Sequence, residues 1–190
     1  MGKSMAAGIL KEAGFPVIDT DEVARTVVAA GTPGFEAVIG AFGEKVRGAD
    51  GGIDRGRLAQ IIFSDAAARG RLEGILHPLI RREWLAQVQS WRENGVEAGV
   101  VVIPLLFETG AEKNFESVIC IACTVERQSA RLRARGWNAE QVSGRLSAQW
   151  PIDTKMDRAN HVIWNDADVP VLREQLRRVP PLKGRRKCAA

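Results

Sequence analysis

The chain has 190 residues, 45% of them hydrophobic and 26% charged, and a formal net charge of +4. That balance is ordinary for a soluble globular protein with one good core, and no apolar run approaches the roughly 20 residues of a membrane span. No signal peptide is read, three cysteines make no disulfide framework, and two histidines (His77 and His161) exclude a histidine-rich metal site.

Met1-Gly2-Lys3-Ser4 runs straight into a helical pattern. Gly-Lys-Ser is the back half of the phosphate-loop motif G-x-x-x-x-G-K-[ST]. Its glycines let backbone N–H groups wrap phosphate oxygens, its lysine reaches the outer phosphates and its hydroxyl binds Mg²⁺. Alone, the tripeptide could equally be a solvated helix cap. The pattern predicts a helix over Lys3 to Ala13, closed by Gly14, then a short strand over Phe15 to Ile18 with Asp19-Thr20-Asp21 at its exit. A helix over Asp21 to Ala30 stops at Gly31-Thr32-Pro33-Gly34, and Phe35 to Phe42 forms another.

Arg47 to Gly52 reads as a glycine-rich turn, and Asp54 as the cap of a helix over Arg55 to Phe63. A longer helical stretch covers Ala66 to Asn94, with a break expected at His77-Pro78. Its apolar residues, from Leu72 through Val88, recur at helical spacing. Val100 to Ile103 is a continuous apolar run of the kind found in buried parallel strands. Ser117 to Ala122 is the next strand. Cys120 and Cys123 have redox-motif spacing, but on a strand they face opposite ways, so they read as core thiols.

Val125 to Arg135 is an arginine-loaded helix. Asn138 with Gln141 opens a helix ending near Gln149, and Pro151 can begin the one after it. His161 to Trp164 is the last strand and Val169 to Val179 the last helix. Much of the basic excess lies in Lys183, Arg185, Arg186 and Lys187, which reads as a solvated tail rather than a nucleic-acid surface. Strands alternate with helices, so the expected class is α/β with a parallel sheet, in a single domain without repeats.

Several residues carry chemistry. Gly2, Lys3 and Ser4 sit at a helix N-terminus, where N–H groups and the helix dipole favour an anion. Asp19 and Asp21 lie at the carboxyl end of a strand, where ligands of open α/β sheets sit. A carboxylate there can take the proton of a hydroxyl attacking a γ-phosphate; the alternative is that Asp21 merely caps the next helix. Arg127, Arg131 and Arg135 share one helix face. Such a stripe is usually solvated, but beside a phosphate site it can neutralise transition-state charge. Arg133 lies off that face. His77-Pro78 reads first as a packing and break element.

Taken together, these residues resemble the dephospho-CoA kinase family of P-loop kinases. The matching segments are Gly2-Lys3-Ser4, Phe15 to Asp21 with Ala24-Arg25, Ile53-Asp54-Arg55 with Leu58-Ala59, and Phe63. They continue through Leu72-Glu73, Leu76 to Ile80 and Pro104-Leu105-Leu106-Phe107-Glu108. In the last third they are Gln128, Arg131, Arg135, Arg145, Gln149, Pro151, Lys155, Ala159 and Val162-Ile163 with Asn165. The run IDR…LEGILHPLI…PLLFE is far more specific than a phosphate-loop fragment.

The resemblance implies a three-layer P-loop kinase fold over residues 1–190. A helical substrate-binding region would occupy about 33–97 and an arginine-bearing lid about 125–158. It implies transfer of the γ-phosphate of ATP to the 3′-hydroxyl of dephospho-CoA, with Mg²⁺, in the cytoplasm and with neither nucleic acid nor membrane as partner. Lys3, Asp21 and Arg131 would be catalytic, with Asp21 the base. Gly2, Lys3, Ser4, Arg131, Arg135 and Asn165 would bind ATP, Asn165 near the adenine, and Ser4 would bind Mg²⁺. Asp21, Arg55, His77 and Glu108 would serve the acceptor. The family begins with a strand and a complete loop, G-G-I-G-x-G-K-S, so Met1 reads as an internal methionine and the first strand as absent from this chain. Two other readings are another small-metabolite P-loop kinase and a truncated, non-catalytic remnant.

Overall fold

A computed structural model of the chain describes residues 2–134, 136, 142, 144 and 149–182. They form two compact units. One comprises Met1–Val17 with Val102–Ala190, and the other Ile18–Val101. The chain passes between them within its first two strands.

The first unit opens with α1 (Lys3–Glu12), whose Ala6, Ala7, Ile9 and Leu10 are buried. Gly14, at φ 88°, follows the helix in the left-handed region where glycine is favoured. Later come β3 (Ile119–Ala122), α6 (Val125–Arg133), α7 (Ile152–Arg158), β4 (His161–Trp164) and α8 (Val169–Arg178). β3 and β4 pair in parallel, with Ile119 opposite His161 and Ala122 opposite Trp164. The ladder continues one step further, because the Asn165 N–H donates to the Ala122 carbonyl at 2.8 Å. α8 packs on β4 and α1, burying Leu172 and Leu176, and α7 packs on β3. Cys120 and Cys123 are both buried free thiols, as the core reading expects.

The second unit holds α2 (Thr20–Thr26), α3 (Pro33–Phe42), α4 (Arg55–Ser64) and α5 (Ala66–Glu93), with all but one end residue each of β1 (Val17–Asp19) and β2 (Val100–Val102); β1 is hydrogen-bonded to β2. Its core is Phe35, Val38, Ile39, Phe42, Val46, Ala68 and Leu72. α2, α3 and α4 all pack on α5. Arg47 and Ile53 bridge the glycine-rich turn between α3 and α4.

Four expectations shift. α5 runs unbroken through Pro78. The carbonyl that Pro78 cannot serve belongs to exposed Gly74, where water is available to it. α2 ends at Thr26, four residues early, and begins under a cap from Asp19 rather than Asp21. Pro151 is the N-cap of α7 rather than its first residue. The helix expected over Asn138 to Gln149, like the basic tail, lies outside the described residues.

Candidate nucleotide site and its supports

Gly2 is the N-cap of α1 at φ 105°, with no side-chain cap hydrogen bond. First-turn amides lack intrahelical partners in any helix, so they are the natural donors to an anion. The Gly2 carbonyl accepts the Ala6 N–H at 3.0 Å. Ser4 is exposed and Lys3 half-buried in this first turn.

Two other elements of the same unit converge on Gly2. A Cβ placed there would overlap the Asn165 carboxamide and lie 3.9 Å from Nη1 of Arg131. Asn165 is 2% exposed, a deeply buried amide directly after β4. Nη1 of Arg131 is buried and has no hydrogen-bond partner. A charged nitrogen in that state is costly unless an anion meets it. Gly2, Arg131 and Asn165, brought forward from distant parts of the sequence, are therefore assembled in one place.

The arginine stripe divides. Arg127 donates from Nε and Nη2 to the Asp166 carbonyl at 3.2 and 2.9 Å, so it is a brace rather than a loose cation. Arg133 is exposed, as expected. Arg135 lies outside the described residues. Asp166 accepts the Thr124 N–H at 3.0 Å, the Thr124 hydroxyl at 3.3 Å and the Trp164 Nε1–H at 2.9 Å. The backbone N–H of Thr124 is the main cause that holds its carboxyl below the usual range, opposed by burial and helped by Trp164, the Thr124 hydroxyl and Arg127.

Glu108 is engaged within the protein. Its Oε1 lies 2.7 Å from the Lys155 ammonium and accepts the Trp150 N–H at 2.8 Å. Burial pushes its carboxyl up, but Lys155, the Trp150 N–H and its own backbone N–H together outweigh burial and leave it below the usual range. Lys155 is only 7% exposed. Burial pushes the Cys120 thiol up, against the opposing pull of Lys155 and Lys3. Arg158 lies over the Trp150 ring at 5.2 Å and the Phe107 ring at 5.7 Å.

In the second unit, Asp19 Oδ1 accepts the Asp21 N–H at 2.9 Å, and Asp21 is exposed in the first turn of α2. Arg55 and His77 are exposed on α4 and α5. The partners that sequence reasoning left without a role are Lys155, Asp166, Thr124 and Trp150. Thr124 alone carried a local signal, a threonine immediately before a helix. The others act through contacts some 40 residues or more away in sequence, as in the Lys155 and Trp150 contacts with Glu108.

The dephospho-CoA kinase family model matches residues 1–170. A dephospho-CoA kinase of Bdellovibrio bacteriovorus is 38% identical over 178 residues, covering 94% of this chain and 89% of that protein. One of Moorella thermoacetica is 40% identical, covering 93% and 84% respectively. Among solved structures, the dephospho-CoA kinase of Campylobacter jejuni superposes with a TM-score of 0.67 at 30% identity, covering 92% of this chain and 87% of that one. A Thermus thermophilus crystal structure superposes at 0.73 with 34% identity, covering 90% and 86%. The α/β class with parallel strands agrees with these neighbours.

Proposed function

The chain belongs to the dephospho-CoA kinase family, and from that premise we propose that it transfers the γ-phosphoryl group of ATP to the 3′-hydroxyl of dephospho-CoA, giving coenzyme A and ADP. The family match across residues 1–170 is the observation that carries this reading. The glycine N-cap of α1 and the unpartnered Arg131 nitrogen support it, since both suit a polyphosphate.

The proposed roles follow from the chemistry of each group. N–H groups around Gly2 and the Lys3 ammonium bind phosphate oxygens, while Arg131, with Arg135, neutralises charge on the transferring group. Asp21 takes the proton of the 3′-hydroxyl as its oxygen bonds to the γ-phosphorus and the bond to the ADP oxygen breaks. Arg55 and His77 hold the acceptor. Glu108, already paired, serves the site by fixing Trp150 and Lys155. Asn165 belongs to the nucleotide side.

Mg²⁺ fits the donors on offer. Ser4 supplies a hard hydroxyl oxygen, and among the described residues no group of three or more His, Cys, Asp or Glu could hold an ion by itself. Mg²⁺ accepts such sparse protein ligation when phosphates complete its shell. Bound there, it would neutralise phosphate charge. The cytoplasm is the proposed compartment, which the free thiols Cys120 and Cys123 suit. Among the described residues no helix is long and apolar enough to cross a membrane.

The reading is tested by incubating the purified chain with ATP and dephospho-CoA and following coenzyme A by mass. Stoichiometric coenzyme A and ADP are expected; ATP hydrolysis without coenzyme A would contradict the reading.

A further inference from the structure

We propose that Asn165 is a positioning residue for the phosphate-binding turn at Gly2–Ser4, acting on the polyphosphate end of ATP rather than reading the base. The inference rests on the kinase reading above. Its ground is the contact itself. The Asn165 carboxamide occupies the space where any side chain at Gly2 would begin. Gly2 holds φ 105°, a conformation that L residues rarely adopt, and it carries no cap of its own. Something outside α1 must therefore hold this turn, and the amide packed against its Cα does so.

Asn165 is suited to that task because its backbone is anchored on both sides. Its backbone extends the β3–β4 ladder through Ala122. Immediately before it, Trp164 is held by the Gln175 side chain, which accepts its N–H at 3.2 Å and donates to its carbonyl at 3.0 Å. Immediately after it, Asp166 is held by Thr124 and Arg127 at the start of α6. One turn thus connects the arginine helix to the first turn of α1. Arg131, from the same α6, ends close to the same point on Gly2. Fixing Asn165 fixes the spacing between the N–H donors of α1 and the Arg131 guanidinium. Both groups offer donors of the kind that phosphate oxygens accept.

The test separates the two ends of the nucleotide. Binding of tripolyphosphate and of adenosine is measured by calorimetry for wild type, Asn165→Ala, Gly2→Ala and the double variant, each checked for folding by circular dichroism. Asn165→Ala is expected to weaken tripolyphosphate about tenfold, the worth of roughly one hydrogen bond to a charged group, with adenosine unchanged. Gly2→Ala is expected to do the same through strain and overlap. In the double variant the added methyl enters space that Asn165 has left, so the two losses are expected to be less than additive.

Loss of adenosine binding with tripolyphosphate unchanged would overturn the proposal in favour of a base contact. So would strictly additive losses, or no tripolyphosphate binding by wild type. If Asn165→Ala fails to fold, the Gly2→Ala and Asn165→Asp pair decides by the same split. Wild type that binds tripolyphosphate as described, yet makes no coenzyme A, would count against the kinase reading and leave this inference standing.

Discussion

Oδ1 of Asp19 accepts the backbone N–H of Asp21 at 2.9 Å, so Asp19, not Asp21, caps α2. The structural task that competed for Asp21 is thereby done by its neighbour. The two residues are expected to separate by experiment. Asp19→Ala should cost about 1 kcal/mol of stability, read as a lowered Tm. Asp21→Asn should leave Tm and ATP affinity nearly unchanged and lower kcat by roughly 10²-fold or more. Near-normal kcat in Asp21→Asn would remove it from the role of base, and Asp19 would be tested in its place.

Arg131 and Arg133 sit two residues apart with opposite expectations. Arg131 presents a buried, unpartnered nitrogen next to Gly2, and Arg133 is exposed. Arg131→Lys keeps the charge but loses the planar fork, so turnover should fall by about tenfold or more. Arg133→Ala should change kcat/KM by less than about twofold. An Arg131→Ala enzyme with wild-type turnover would reduce the whole stripe to a solvated face.

The Glu108–Lys155 pair predicts a pH signature. The Glu108 carboxyl is held below its ordinary value, so its stabilising contribution is present above the unfolded pKa of about 4.3 and is lost as pH falls through the lower folded value. Glu108→Gln should therefore lower Tm at pH 7 and converge on wild type in acid. The side chains are 13% and 9% exposed, so the loss at pH 7 should be about 2–3 kcal/mol, under the 3–5 kcal/mol of a fully buried pair. Parallel Tm curves from pH 7 to 3 would contradict this.

Pro78 lies inside α5 and is itself exposed, as is His77 before it. Pro78→Ala restores one helix N–H and should raise stability by about 1 kcal/mol or more, read as a higher Tm. His77→Ala should raise KM for dephospho-CoA while leaving KM for ATP unchanged. Equal effects on both substrates would remove His77 from the acceptor side.

Much of this molecule was legible because its signals are local. Gly14 ends its segment where glycine punctuation predicts, and Asp54 caps α4 through the Arg57 N–H at 3.0 Å. The apolar run at Val100 became β2, and His161 to Trp164 became β4 without change. The class followed from their alternation. Less local features were misread or missed. Helical apolar spacing through Pro78 overrode the break that proline alone suggests. The cap of α2 fell two residues early because either aspartate could have supplied it. Of the site, the pattern marked Gly2 and Arg131 and the resemblance marked Asn165, and only folding put them together. The resemblance placed Glu108 on the acceptor side, while its salt bridge to Lys155, 47 positions on, is a tie of the fold that nothing in the sequence shows.

The central claim is tested most directly by acceptor competition. The purified chain is given γ-labelled ATP with dephospho-CoA, shikimate, gluconate or a nucleoside monophosphate, and the labelled product is identified. The account predicts label on the 3′-oxygen of coenzyme A and kcat/KM for dephospho-CoA at least about 10³-fold above the other acceptors, since a site built to hydrogen-bond one hydroxyl rejects acceptors that leave its polar groups unpaired. Faster labelling of any of the other acceptors, or label at another position of coenzyme A, would contradict it.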